Sequence, residues 1–107
     1  MALIPAIKRL FPNIFFESFE KEHDIELCSD IDYLGWVGQK AFGIQIKPIT
    51  SKANFGNYSA SERMKASFID FSQKYGGNVF VIYSEKEKIK NEEVIGQIAT
   101  EIKLLSQ

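Results

Sequence analysis

The stretch Asp30-Ile-Asp-Tyr-Leu-Gly-Trp-Val-Gly-Gln-Lys-Ala-Phe-Gly-Ile-Gln-Ile-Lys-Pro-Ile-Thr50 decides the fold. From Ala41 to Ile49 the pattern alternates, with Phe42, Ile44 and Ile46 on one side of an extended chain and Gln45 and Lys47 on the other. That is the period of a strand with one buried face, so Lys47 is expected to point away from the main packing layer, beside Gln45. Asp30 and Asp32 are two apart, and in an extended segment both carboxylates leave the same face. The glycine-bearing stretch from Gly35 to Gly38 and on to Lys40 predicts a turn that folds the two segments into a hairpin. Pro48 follows Lys47 directly and has no N–H to donate, so the strand is expected to leave the sheet or reach an edge there.

Upstream, two prolines and scattered apolar residues allow a short helix from Pro5 that ends before Pro12. Asn13 is placed to cap a helix running to about Asp24, with Phe15, Phe16, Phe19 and His23 as its apolar stripe and Glu20 and Glu22 flanking it. Ile25 to Leu34 reads as the first strand. Downstream, Ser51 to Tyr58 is a polar loop whose Lys52, Asn54, Asn57 and aromatic residues suit phosphate contacts and base stacking. Ser59-Ala-Ser-Glu62 is a capping box opening a helix with Met64, Phe68, Phe71 and Tyr75 on one side, ended by Gly76-Gly77. Arg63 falls in its first turn, next to the loop, where a guanidinium can face a phosphate. The apolar run Val79 to Tyr83 suggests a central strand buried on both faces. After a charged turn from Ser84 to Lys90, a last helix begins near Asn91 with Ile95, Ile98, Ile102 and Leu105 on one side. The crossover from the Gln-x-Lys strand through a helix to Val79–Tyr83 makes those two strands parallel. The expected fold is α/β, a mixed β-sheet flanked by helices.

At 107 residues the chain is expected to be a single domain, 1–107, too short for a separate recognition domain: a minimal catalytic core or a piece of something longer. Its 45% hydrophobic and 25% charged residues are those of an ordinary globular protein. No apolar run approaches the roughly 20 residues that span a bilayer, and Met1 to Phe11 does not read as a signal peptide, so the expected compartment is the cytoplasm. Cys28 is the sole cysteine and His23 the sole histidine, which excludes an internal disulfide, a cysteine zinc cluster and any mechanism needing two imidazoles. A Gly-x-Ser-x-Gly nucleophile elbow is absent, and Gly35-Trp-Val-Gly38 lacks the Lys-Ser/Thr of a nucleotide-binding loop. The net charge of −1 makes no overall case for nucleic acid. The distribution is more telling: seven acidic residues against Lys21 between Glu17 and Asp32, then five basic residues (Lys40, Lys47, Lys52, Arg63, Lys65) against Glu62. A cation-holding cluster next to a phosphate-holding one is what a metal-dependent nuclease needs.

Asp32 on one strand, followed by Gln45-Ile46-Lys47 on the next, resembles the active-site signature of the PD-(D/E)xK nuclease superfamily, in which an acidic residue precedes an acidic-x-lysine triplet by a variable gap. The surrounding segments, YLGWVG from Tyr33, GIQIKPIT from Gly43, NFGNYS from Asn54 and SERMKASF from Ser61, look like the catalytic half of MjaI-type restriction endonucleases, over roughly Phe15 to Tyr83. In one respect the sequence departs from the pattern, since Gln45 stands where the superfamily usually has a carboxylate.

The resemblance implies a restriction-endonuclease-like core that hydrolyses phosphodiester bonds of double-stranded DNA with Mg²⁺. It implies Asp32, Gln45, the backbone carbonyl of Ile46 and Glu20 as metal ligands, with Glu22 next to Glu20 and Asp30 compensating for the missing charge. Lys47 holds or deprotonates the attacking water; Lys52, Asn54, Asn57, Arg63 and Lys65 face the DNA; and two copies form a homodimer that cuts both strands. Two other readings stay open at this point. One is a non-catalytic DNA-binding or oligomerising remnant, which the short chain and Gln45 favour, and the other is a junction-resolving repair nuclease on the same core.

Overall fold

The computed structural model describes residues 3–20, 31–48, 62–85 and 88–107. Strand β2 (Tyr33–Val37) pairs antiparallel with β3 (Lys40–Pro48), Tyr33 lying opposite Ile44 and Val37 opposite Lys40. The turn between them is shorter than expected. It consists of Gly38 and Gln39, with Gly38 at φ +63°, the left-handed conformation that a two-residue hairpin demands. Gly35 is therefore a strand residue, and its missing side chain leaves room for a neighbour: a Cβ built there would lie 2.3 Å from the Phe42 ring, which is fully buried.

The helix expected from Asn13 is not formed over its described part. Phe15–Ser18 is a strand, β1, antiparallel to β2 with Phe15 opposite Trp36. In a helix Phe15 and Phe16 would share one stripe. In the strand they part, so Phe16 is buried edge-to-face on Phe42 with ring centroids 5.9 Å apart while Phe15 is 64% exposed. Cross-strand pairing on β2 and this aromatic contact outweigh the local capping signal of Asn13. The Phe19 N–H continues the ladder by donating to the Asp32 carbonyl at 2.9 Å. Glu22, His23 and Asp30, with most of the strand expected from Ile25, lie outside the described residues; its described part runs on through Trp36 to Val37.

Helix α2, Glu62–Tyr75 in the structure, follows the predicted stripe, with Phe71 fully buried and stacked on Tyr75 at 4.6 Å. The capping box residues Ser59 to Ser61 lie outside the described residues. The chain passes straight from Tyr75 into β4 (Gly76–Glu85) through Gly76, whose φ of +93° makes the reversal. Strand β4 runs parallel to β3, Gln45 lying opposite Val81 and Lys47 opposite Tyr83. Within the predicted Ser84–Lys90 turn the structure forms a further short strand, β5 (Lys88–Ile89), antiparallel to β4. Because β5 adds two residues beyond it, β4 is nearly an edge, and Val79, Phe80, Val81 and Tyr83 are half-buried rather than covered on both faces.

The sheet order is β1-β2-β3-β4-β5, with β3 and β4 parallel and the other pairs antiparallel, a mixed α/β sheet flanked by helices as expected. Helices α1 (Leu3–Leu10) and α3 (Glu93–Leu105) cover one face, where Ile4, Ile7, Phe42, Ile44, Ile82 and Ile98 form the larger core. Helix α2 covers the other over Phe19, Ile31, Leu34, Ala41 and Phe71. The face carrying Gln45 is thus a second packed layer and not an open polar surface, which corrects the reading of β3 as buried on one side. The apolar side of α3 is spent on its own sheet. No helix among the described residues is long and apolar enough to cross a membrane.

The fit of Phe42 against Gly35 gives a direct test. Gly35→Ala is expected to lower the unfolding free energy by about 1–3 kcal/mol through overpacking, seen as a lower urea midpoint at unchanged slope. A wild-type midpoint would show that Phe42 has room to move.

Candidate active site

The site begins where β2 and β3 part. The Asp32 N–H donates to the Ile44 carbonyl at 2.8 Å, and one step further along β3 the Ile46 N–H donates to Asp32 Oδ2 at 2.7 Å. The carboxylate stands in for the next strand carbonyl. A residue at the end of β2 is thereby held against the peptide joining Gln45 to Ile46, inside the Gln-x-Lys triplet.

Gln45 and Lys47 share a face of β3 with Gly43, and a Cβ built on Gly43 would touch Val79, Phe71 and Ile31 of the α2-side core. Lys47, two residues further along, is half-buried. Gln45 is 8% exposed, and among the described residues its Oε1 is buried with no hydrogen-bond partner. A buried acceptor without a donor costs about 1–3 kcal/mol, and most buried polar groups in proteins are paired. An oxygen kept in this condition fits a ligand for a cation.

The oxygens present suit Mg²⁺, which is usually held by one or two carboxylates together with waters and substrate phosphates. They are the exposed Asp32 carboxylate, Gln45 Oε1 and the Ile46 backbone. Among the described residues no three His, Cys, Asp or Glu side chains gather into a metal-binding group. Of the three donors named, only Asp32 is a carboxylate.

Glu20 is exposed just past β1 and is not on a helix, because the helix expected to carry it is a strand. Lys52, Asn54 and Asn57 lie outside the described residues. Arg63 is in the first turn of α2, and Lys65 is exposed on the same helix. Two features escaped sequence reasoning. Glu17, counted in the acidic cluster, accepts the Trp36 Nε1–H at 2.6 Å and so serves the β1–β2 pair. The bond from Ile46 to Asp32 joins residues 14 apart, and no local pattern signals it.

The family model described as MjaI restriction endonuclease matches residues 6–104 of the chain. No curated protein and no solved structure matches it.

The Asp32 bond is testable without any substrate. In Asp32→Ala the Ile46 amide proton is expected to exchange with solvent at least roughly tenfold faster, whereas Asp32→Asn, which keeps an acceptor oxygen, is expected to retain most of the protection. Equal protection in wild type and Asp32→Ala would remove this contact from the site.

Proposed function

The chain belongs to the MjaI restriction endonuclease family, and from that premise we propose that it is a Mg²⁺-dependent endonuclease that hydrolyses phosphodiester bonds of double-stranded DNA. The observation that carries the proposal is the buried Oε1 of Gln45, without a hydrogen-bond partner among the described residues, beside the peptide to which Asp32 is bonded. Asp32, Gln45 Oε1 and the Ile46 carbonyl would hold the ion, with Glu20 adding a second carboxylate. A bound Mg²⁺ supplies charge stabilisation at the phosphoryl oxygens and a lowered pKa for a coordinated water.

The chain's own groups do the rest. Asp32 brings the full negative charge and is kept in place by the Ile46 N–H. Gln45 contributes a neutral oxygen whose amide is fixed by burial, so it needs no reordering when a ligand arrives. Lys47 sets its amino group at the strand end, where as ammonium it holds the attacking water and balances the phosphate charge, or as the neutral amine takes the proton of that water at Nζ. Lys52, Asn54, Asn57, Arg63 and Lys65 would supply contacts to the DNA backbone, which set register and not sequence preference. Two copies related by a two-fold axis, acting in the cytoplasm, would cut the two strands.

Three variants, compared with wild type in plasmid cleavage across Mg²⁺ and Mn²⁺ concentrations, test the reading. Lys47→Ala is expected to stay folded and lose cleavage. Gln45→Glu is expected to tighten Mg²⁺ binding, since a charged ligand contact is roughly twice as strong as a neutral one. Gln45→Leu is expected to be as stable as wild type, or more so by about 1 kcal/mol, because it removes a buried acceptor that has no donor among the described residues, and to lose cleavage. Unchanged cleavage in Lys47→Ala sinks the catalytic assignment. No cleavage by wild type or Gln45→Glu at any metal concentration leaves the non-catalytic DNA-binding reading in its place.

A further inference from the structure

Lys47 has a lateral neighbour on β4 that the sequence does not single out. In the parallel register Tyr83 lies opposite Lys47, and paired residues on adjacent strands, about 4.8 Å apart, send their side chains to the same face. Both are half-buried. Both side chains are long enough to carry a polar tip well above the sheet, an ammonium on one and a phenol on the other. They sit toward the carboxyl ends of two parallel strands, the place where open α/β sheets bind ligands.

Tyr83 is also fixed more firmly than a near-edge strand requires. Its N–H donates to Asn91 Oδ1 at 2.9 Å, and its carbonyl accepts the Lys90 N–H at 2.7 Å. Asn91 Nδ2 in turn donates to the Val81 carbonyl at 2.8 Å, so a single side-chain amide extends the sheet edge beyond the two residues of β5. The backbone under Tyr83 is clamped from both sides, by β3 and by Asn91. Pre-organisation of this kind is what a ligand-contacting side chain needs.

We infer that Tyr83 is a substrate-contacting residue, its phenol O–H donating to the same phosphate that Lys47 meets with its charge. This rests on the nuclease reading above. Lysine alone is a point charge on a flexible stem; a rigid neutral donor beside it fixes the direction from which the phosphate oxygen is approached.

The test uses the whole chain with a short DNA duplex, following single-turnover cleavage in Mg²⁺ and binding by fluorescence anisotropy in Ca²⁺ at several salt concentrations. Tyr83→Phe is expected to keep the wild-type melting temperature and to lose roughly tenfold in cleavage rate and in affinity, the size of one hydrogen bond to a charged group. Its affinity loss should be the same at every salt concentration, because a phenol displaces no counterion, whereas Lys47→Ala should flatten the salt dependence by about one ion. In the Lys47→Ala background the Tyr83→Phe loss in affinity should shrink, since two groups on one phosphate are coupled. If Tyr83→Phe binds and cleaves as wild type does while Tyr83→Leu merely melts earlier, Tyr83 is packing and the inference is wrong. Wild type that binds but does not cleave ends the catalytic reading and leaves Tyr83 to be judged on affinity alone; wild type that does neither ends both.

Discussion

Parallel pairing of β3 with β4 is the constraint on which the rest of this structure depends. Two parallel neighbours cannot be joined by a tight turn, so the chain must cross over one face of the sheet, and α2 occupies that face. The opposite face is then left to α1 and α3. Strand β3, between β2 and β4, is covered from both sides, which explains why Ala41, Phe42, Gly43, Ile44 and Gln45 are all buried although they alternate in polarity and size.

The same arrangement makes the end of β3 chemically unusual. Packing on the α2 side continues past Gly43 to Gln45, and from there the chain presents Lys47, half-exposed. On the opposite edge β2 turns away, and the Asp32 carboxylate takes over its hydrogen-bonding role toward Ile46. Asp32, bonded to the Ile46 N–H, and Gln45 and Lys47 on either side of Ile46 are thus all tied to the last residues of β3. Among the described residues the buried Gln45 Oε1 has no hydrogen-bond partner, and a buried acceptor without a donor costs about 1–3 kcal/mol. On the same face of the sheet Phe19, Phe71 and Tyr75 form an aromatic cluster, and Trp36 donates to Glu17.

Some of this was legible in the residues. The alternation of Phe42, Ile44 and Ile46, the stripe of α2 and the apolar side of α3 are periodic signals that depend on a chain segment alone, and each element forms where its period places it. Asp32 followed by Gln45-Ile46-Lys47 could also be marked, because the pattern is one of residue types in order. Strand β1 could not be read. Phe15, Phe16 and Phe19 fit a helical stripe and a strand equally, and four residues form a strand at that place because β2 is there to pair with. Strand β5 is two residues long and has no period to detect.

By itself, then, the sequence determined an α/β chain with a mixed sheet, its parallel pair and the order of its candidate site residues, because these follow from periodicity and connection length. The tertiary structure alone decided the two-sided burial of β3, the burial of the Gln45 oxygen, the bond from Ile46 to Asp32 and the register that sets Tyr83 beside Lys47. Each of these is a relation between residues distant in the chain. It is fixed by which strand lies next to which, and a register between two strands cannot be read from either strand alone.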